Sequence, residues 1–140
     1  MKTLLATILL TVTTLTHAAV TITLDPSLAG QTQFTIRCND PIARTDGTPL
    51  AVGEIAERVF WVSTDKQNWT EAGRNNAACQ QVYDATQIAD GTYYYTVSAI
   101  DTDGRQSIRA IDGNPNEVIT AVVKRLPPPA APAGLSVTVP

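Results

Sequence analysis

Histidine is almost missing from this chain of 140 residues; the single one is His17, and the single methionine is Met1. Both lie in a stretch where Lys2 precedes an uncharged apolar run, Leu4 to Leu15, followed by the small residues of "THAAV". One cation, an apolar run too short to cross a bilayer and small residues behind it form the pattern of a secretory signal peptide. The expected cleavage lies between Ala18 and Ala19, so the mature chain contains neither His nor Met. That excludes a Ser-His-Asp triad, a Cys-His pair and any histidine-ligated metal site. No cysteine follows the cleavage region to carry a lipid, and no later apolar run is long enough to span a membrane.

Charge is also sparse, at 16% of residues. With Lys2 removed, nine Lys and Arg face thirteen Asp and Glu, a net charge of about −4 at neutral pH. Arg37, Arg44, Arg58, Arg74, Arg105, Arg109 and Arg125 are scattered, so no cationic stripe marks a nucleic-acid or anionic-lipid surface. There are only two cysteines, Cys38 and Cys79. In an oxidising compartment an even pair is expected as a disulfide, the alternative being two free buried thiols. Closing a loop with a separation of 41 residues disfavours the unfolded chain by roughly 4 kcal/mol in the loop-entropy account. Two cysteines alone cannot build a four-ligand zinc site, and no cofactor is expected.

What is present is alternation. "VTITL" from Val20, "QTQFTIRC" from Gln31, "ERVFWVS" from Glu57, "QQVYDATQI" from Gln80, "TYYYTVSAI" from Thr92 and "NEVITAVV" from Asn116 are short runs between turn signals. That spacing predicts an antiparallel β-domain with no convincing helical period. Asp-Gly stands at Asp46, Asp90, Asp103 and Asp112, and Asp-Pro at Asp25 and Asp40. Aspartate caps its own turn and glycine accepts positive φ, so these pairs separate strands. Asp65, Asp84 and Asp101 remain, with four glutamates, and nothing in their spacing selects a catalytic pair; no enzyme is expected. "DTDG" at Asp101 lacks the later ligands of a calcium loop.

Three consecutive tyrosines follow Asp90. In an extended strand Tyr93, Tyr95, Val97 and Ala99 share one face, and Tyr94, Thr96, Ser98 and Ile100 the other. The first set is the apolar one and is expected inside. Tyr93, just past an Asp-Gly turn, has the position of a tyrosine corner. Tyr94 is left for a surface role. With Trp61 and Trp69 it offers a candidate aromatic platform for a sugar ring.

"ADGTYYYTVSAIDTDGRQS" resembles the F strand and F–G loop of the fibronectin type III domain in its bacterial secreted variety. "NEVITAVV" resembles its G strand, "QTQFTIRCNDP" its B strand, and "TDGTPLAVGEIAERVFWVSTDKQNWT" its B–C loop, C strand and the start of C′. The resemblance implies an all-β, seven-stranded antiparallel Greek-key sandwich. Its parts are a signal peptide over 1–18, the sandwich over 19–125 and a Pro-rich tail over 126–140. Cys38 stands where that family buries a tryptophan; in that topology the end of B lies beside the start of E, which brings Cys38 to Cys79. Arg58 stands where the family has tyrosine, and requires an acidic partner or solvent for its head.

Such domains are mostly non-catalytic interaction, structural or adhesion modules, so a protein or cell-surface partner is expected for a secreted or periplasmic chain. The loops Thr45 to Glu54 and Asp101 to Asn114 are the expected recognition end, with Arg44, Arg105 and Arg109 as its polar contacts. Two alternatives stand beside it. One is carbohydrate binding on Trp61, Trp69 and Tyr94. The other is self-association through residues 134–139, within "AGLSVTV", which resembles the opening strand of a further repeat.

Overall fold

The computed structural model describes residues 19–140 apart from Val52, Pro132, Leu135, Val139 and Pro140. The expected signal peptide lies outside the described residues. Seven strands follow: β1 (Val20–Leu24), β2 (Gln33–Arg37), β3 (Ile55–Ser63), β4 (Thr70–Asn75), β5 (Gln80–Asp84), β6 (Gly91–Asp101) and β7 (Ile119–Val123). A 3₁₀ turn, Ala85–Gln87, precedes β6, and one helical turn, α1 (Ala110–Gly113), lies between β6 and β7.

The strands form a five-stranded sheet of order β1-β7-β6-β3-β4 and a two-stranded sheet, β2-β5. All pairs are antiparallel except β1 with β7, where Val20 to Leu24 run parallel to Ile119 to Val123. Alternation places Phe60, Tyr95, Ala121 and Leu24 of the larger sheet opposite Phe34 and Ile36 of the smaller, all of them buried. Phe34 stacks on Tyr83 at 5.3 Å and meets Tyr95 edge-on at 5.7 Å, while Tyr83 and Tyr95 are 4.9 Å apart. Ring pairs at these separations add about 0.5–1.5 kcal/mol each beyond the area they bury. Burial, helped by the neighbouring Tyr93, pushes the Tyr95 phenol up to about 12, so it stays neutral inside the core.

Tyr93 is half-buried against the same core, and its hydroxyl donates to the Ala89 carbonyl at 3.0 Å. Arg125, just past β7, closes the same corner. Its guanidinium donates to the carbonyls of Ala85, Thr86 and Ile88 and pairs with Asp90. The next residue, Leu126, donates its N–H to Asp25 at 3.1 Å. Two aspartates of the turn dipeptides thus fasten the chain where it leaves the sandwich.

β4, "TEAGRN", shows no apolar alternation and is a strand because β3 supplies its hydrogen-bond partners. Its Gly73 passes so close to Gln81 of β5 that a Cβ there would lie 3.0 Å from that side chain. In the tail, Gly134 and Ser136 to Thr138 belong to no strand; Leu135 and Val139 lie outside the described residues.

Cys38 and Cys79 form a disulfide with Cα atoms 5.1 Å apart, and the Cys38 N–H donates to the Cys79 carbonyl at 2.9 Å. The bond closes the end of the two-stranded sheet. Reduction is expected to lower the denaturant midpoint by an amount equivalent to about 4 kcal/mol, with a steeper slope because the reduced unfolded chain is less compact. An unchanged midpoint would show that the staple adds nothing to the packed sheets.

Candidate functional site

Two groups of candidate residues emerge, at different places. The first is at the end of the sandwich where β6 stops. The β2–β3 connection folds as a small hairpin: Arg44 donates to the Thr48 carbonyl at 2.8 Å, and Leu50 to that of Ile42 at 2.9 Å. Its tip turns at Gly47, φ +85°, beside Asp46, whose carboxylate accepts the Thr48 N–H at 2.9 Å. Ile42, at the base of the hairpin, is 85% exposed.

Asp101 holds this hairpin to the β6–β7 connection. Its carboxylate accepts Arg44 Nη1 at 2.8 Å, Arg105 Nε at 2.8 Å, the Arg105 N–H at 2.8 Å and the Asp103 N–H at 3.0 Å. Glu54 takes the other branch of Arg44 at 3.2 Å, and its carbonyl accepts the Thr102 N–H at 2.9 Å. The Arg44 guanidinium, followed by the Arg105 N–H, holds the Asp101 carboxyl well below the usual carboxylate range. Arg44 and Arg105, two of the expected polar contacts, are therefore also engaged within the molecule.

The second group lies on the outer face of the five-stranded sheet. Trp61 is opposite Thr96 and Ser63 opposite Tyr94, which puts Trp61 and Tyr94 on one face of neighbouring strands. The β3–β4 turn adds Trp69. Asp65 shapes that turn by accepting the N–H groups of Asn68 and Gln67, each at 2.8 Å, bonds that hold its carboxyl well below the carboxylate range. Lys66 takes φ 62° there, and its ammonium sits 4.5 Å from the Tyr94 ring centre. The indole N–H of Trp61 donates to Ser98 Oγ at 2.9 Å.

The long β6–β7 connection lies along this face rather than at the end. Ser107 returns to β6 by donating to the Ala99 carbonyl at 2.8 Å, and the Ile111 N–H of α1 reaches Thr96 Oγ1 at 3.1 Å. Arg109 consequently stands over the Trp69 ring at 5.5 Å and pairs with Asp112 at 2.8 Å. It joins the aromatic group, away from Arg44 and Arg105. Tyr94, too, is half-buried rather than fully open.

The sequence did not reveal the pairings of Arg44 with Asp101 and of Arg109 with Trp69, because each joins residues far apart in the chain. The same holds for Arg58, buried with its Nε on Asp40 at 2.7 Å and Nη1 on the Asn76 carbonyl at 3.2 Å. Asp40 had a complete explanation in its Asp-Pro turn. Among the described residues, no group of three His, Cys, Asp or Glu is gathered as a metal site. Among the same residues, no helix is long and apolar enough to cross a membrane.

The order β1-β7-β6-β3-β4 facing β2-β5, with the tyrosine corner ahead of β6, decides the architecture. The fold is a fibronectin type III-like sandwich. Among solved structures, the fibronectin(III)-like modules of Clostridium thermocellum CbhA are similar at 15% identity, covering 79% of this chain and 93% of theirs, with a TM-score of 0.44. A Fn3-like protein from Clostridium thermocellum is similar at 15% identity over 79% and 93%, with a TM-score of 0.45. The extracellular domain of BT4673 from B. thetaiotaomicron is similar at 14% identity, over 76% of this chain and 12% of that one, with a TM-score of 0.43. No protein-family model and no curated protein sequence matches the chain.

The clasp of this fibronectin type III-like sandwich gives a pH dependence with a defined sign. A carboxyl depressed in the folded state contributes stability above its unfolded value, near 3.8, and loses it as the pH falls through the lower folded value. Asp101→Asn is expected to lower the melting temperature at pH 7 by a few degrees. It should also flatten the loss of stability below pH about 4. A variant with the wild-type acid profile would show that Asp101 does not hold the two connections together.

Proposed function

We propose that the chain is a secreted or periplasmic, non-catalytic module that binds a protein or cell-surface partner. The contact is made through the end formed by the Ile42–Leu50 hairpin and the turn after β6. The observation that carries this reading is the Asp101 clasp, which fixes two connections against each other before any partner arrives. A surface ordered in advance loses less conformational entropy on binding. Arg44 and Arg105 serve there as braces, and the exposed Ile42 with Leu50 beside it supplies the apolar contact.

A second reading rests on the other group. Trp61 and Tyr94 share one face, Trp69 stands on the turn beside it under Arg109, and flat rings so grouped suit a carbohydrate. Arg109 over Trp69 and Lys66 over Tyr94 each take up ring surface, which ranks this reading below the first.

Affinity capture from the native envelope or medium, with wild type, Ile42→Asp and Trp61→Ala in parallel, separates the two. The first reading predicts a partner retained by Trp61→Ala and weakened about ten-fold or more by Ile42→Asp, the cost of losing a central apolar contact. A partner that Ile42→Asp retains in full contradicts it. Glycan titration followed by tryptophan fluorescence, with a response lost in Trp61→Ala alone, would replace it by the second.

A further inference from the structure

β7 pairs with β6 only from Gly91 to Tyr95. Beyond that point the connection crosses the outer face through α1, where Glu117 and Ile111 meet β6 only at the Thr96 side chain, and backbone-to-backbone bonds to β6 recur only at Ala99 and Asp101. No strand among the described residues therefore spans the gap between the upper half of β6 and β2. The gap is a cleft of about 570 Å³ lined by Ile36, Cys38, Val97, Ile108, Val118 and Ile119, among others. Val20 and Ile108 at this cleft are 54% and 64% exposed, high values for apolar side chains.

One wall of the cleft is an open sheet edge. Among the described residues β2 pairs with β5 alone, and the Cys38 N–H points toward β5. By alternation, the N–H and C=O groups of Gln33, Thr35 and Arg37 point the other way. No described residue bonds to them. An unpaired edge of this kind is a template for another strand.

The chain carries a segment patterned to fill it. Leu135-Ser136-Val137-Thr138-Val139 repeats the alternation of β1, Val20-Thr21-Ile22-Thr23-Leu24. In β1 that pattern turns Ile22 and Leu24 to the core and leaves the hydroxyls outside. Beside β2, the same parity would turn the apolar residues into the cleft and lay Ser136 and Thr138 alongside Thr35. Val137 is 88% exposed, and from Pro127 onward no described residue makes a hydrogen bond or ion pair.

The spacer selects whose edge is reached. The chain is fastened at Arg125 and Leu126, and "PPPAA" follows. In a polyproline helix those five residues extend about 16 Å, and β2 is itself only about 17 Å long. The anchor lies at the Gln33 end of β2, where Arg125 donates to the Ala85 carbonyl and the Ala85 N–H to the Thr32 carbonyl, so a spacer extended along β2 would carry the segment past the Arg37 end of its own edge.

We propose that the chain self-associates by strand addition, residues 135–139 of one copy pairing with the open edge of β2 in a second copy and closing its cleft. The contact is heterologous, so it propagates into chains or rings rather than stopping at a two-fold dimer. The contact uses neither Ile42 nor the Asp101 clasp, so it stands apart from the binding reading.

The test is sedimentation of the mature chain from Ala19 across a wide concentration range, with three single variants. Val137→Asp places a charge where the cleft is apolar, at a position too exposed to affect folding. Thr35→Pro removes one outward N–H at an edge that tolerates proline. Ile42→Asp is the control. Expected are concentration-dependent oligomers in wild type and Ile42→Asp, and a monomer in both Val137→Asp and Thr35→Pro. Circular dichroism should show each variant folded. A wild type that stays monomeric overturns the proposal, as do oligomers indifferent to Val137→Asp. Oligomers that survive in folded Thr35→Pro would remove β2 as the acceptor and overturn it equally.

Discussion

The contact of Phe34, Tyr83 and Tyr95 across the gap between sheets is what the rest of this molecule depends on. A two-stranded sheet is marginal by itself, and among the described residues no third strand joins β2-β5. It is held because three rings, each burying on the order of 150–250 Å², meet between it and the larger sheet. The disulfide at one end and the Tyr93–Arg125 corner at the other confine the same layer. With the small sheet fixed, the connections leaving β2 and entering β3 have a rigid base.

A second constraint is the early departure of β7 from β6. It frees residues 102–118 to cover the outer face, where they bury Thr96 and Ser98 and bring Arg109 to Trp69. It also leaves the cleft beside β2 without a covering strand. One interruption in pairing thus produces both the aromatic face and the open edge. The clasp at Asp101 lies where the pairing resumes, which is why a carboxylate there collects four donors from two connections.

The parts legible in the sequence were those with a local cause. Period-two alternation placed Tyr95 in the core, because parity within one strand needs no knowledge of its neighbours, and the Asp-Gly turn before it placed Tyr93 at its corner. Asp-Gly and Asp-Pro dipeptides marked turns for the same reason. β4 was not legible from its residues, since its partner β3 imposes the strand on a polar segment. The parallel pairing of β1 is a choice between edges and leaves no mark in "VTITL". The candidate arginines were legible by type, but their partners within the molecule were not. A guanidinium on a loop reads as a free contact until its carboxylate, 57 residues away for Arg44 and Asp101, is seen beside it.

Amide hydrogen exchange of the mature, oxidised chain tests the dependence on the aromatic contact most directly, with wild type and Phe34→Ala compared strand by strand. If the rings hold the small sheet, β2 and β5 amides that pair with each other exchange as slowly as those of β3 and β6 in wild type. In Phe34→Ala all four strands should then lose protection together, by about 3–5 kcal/mol. Fast exchange of β2 and β5 in wild type, or a loss confined to those two strands in the variant, would contradict the account.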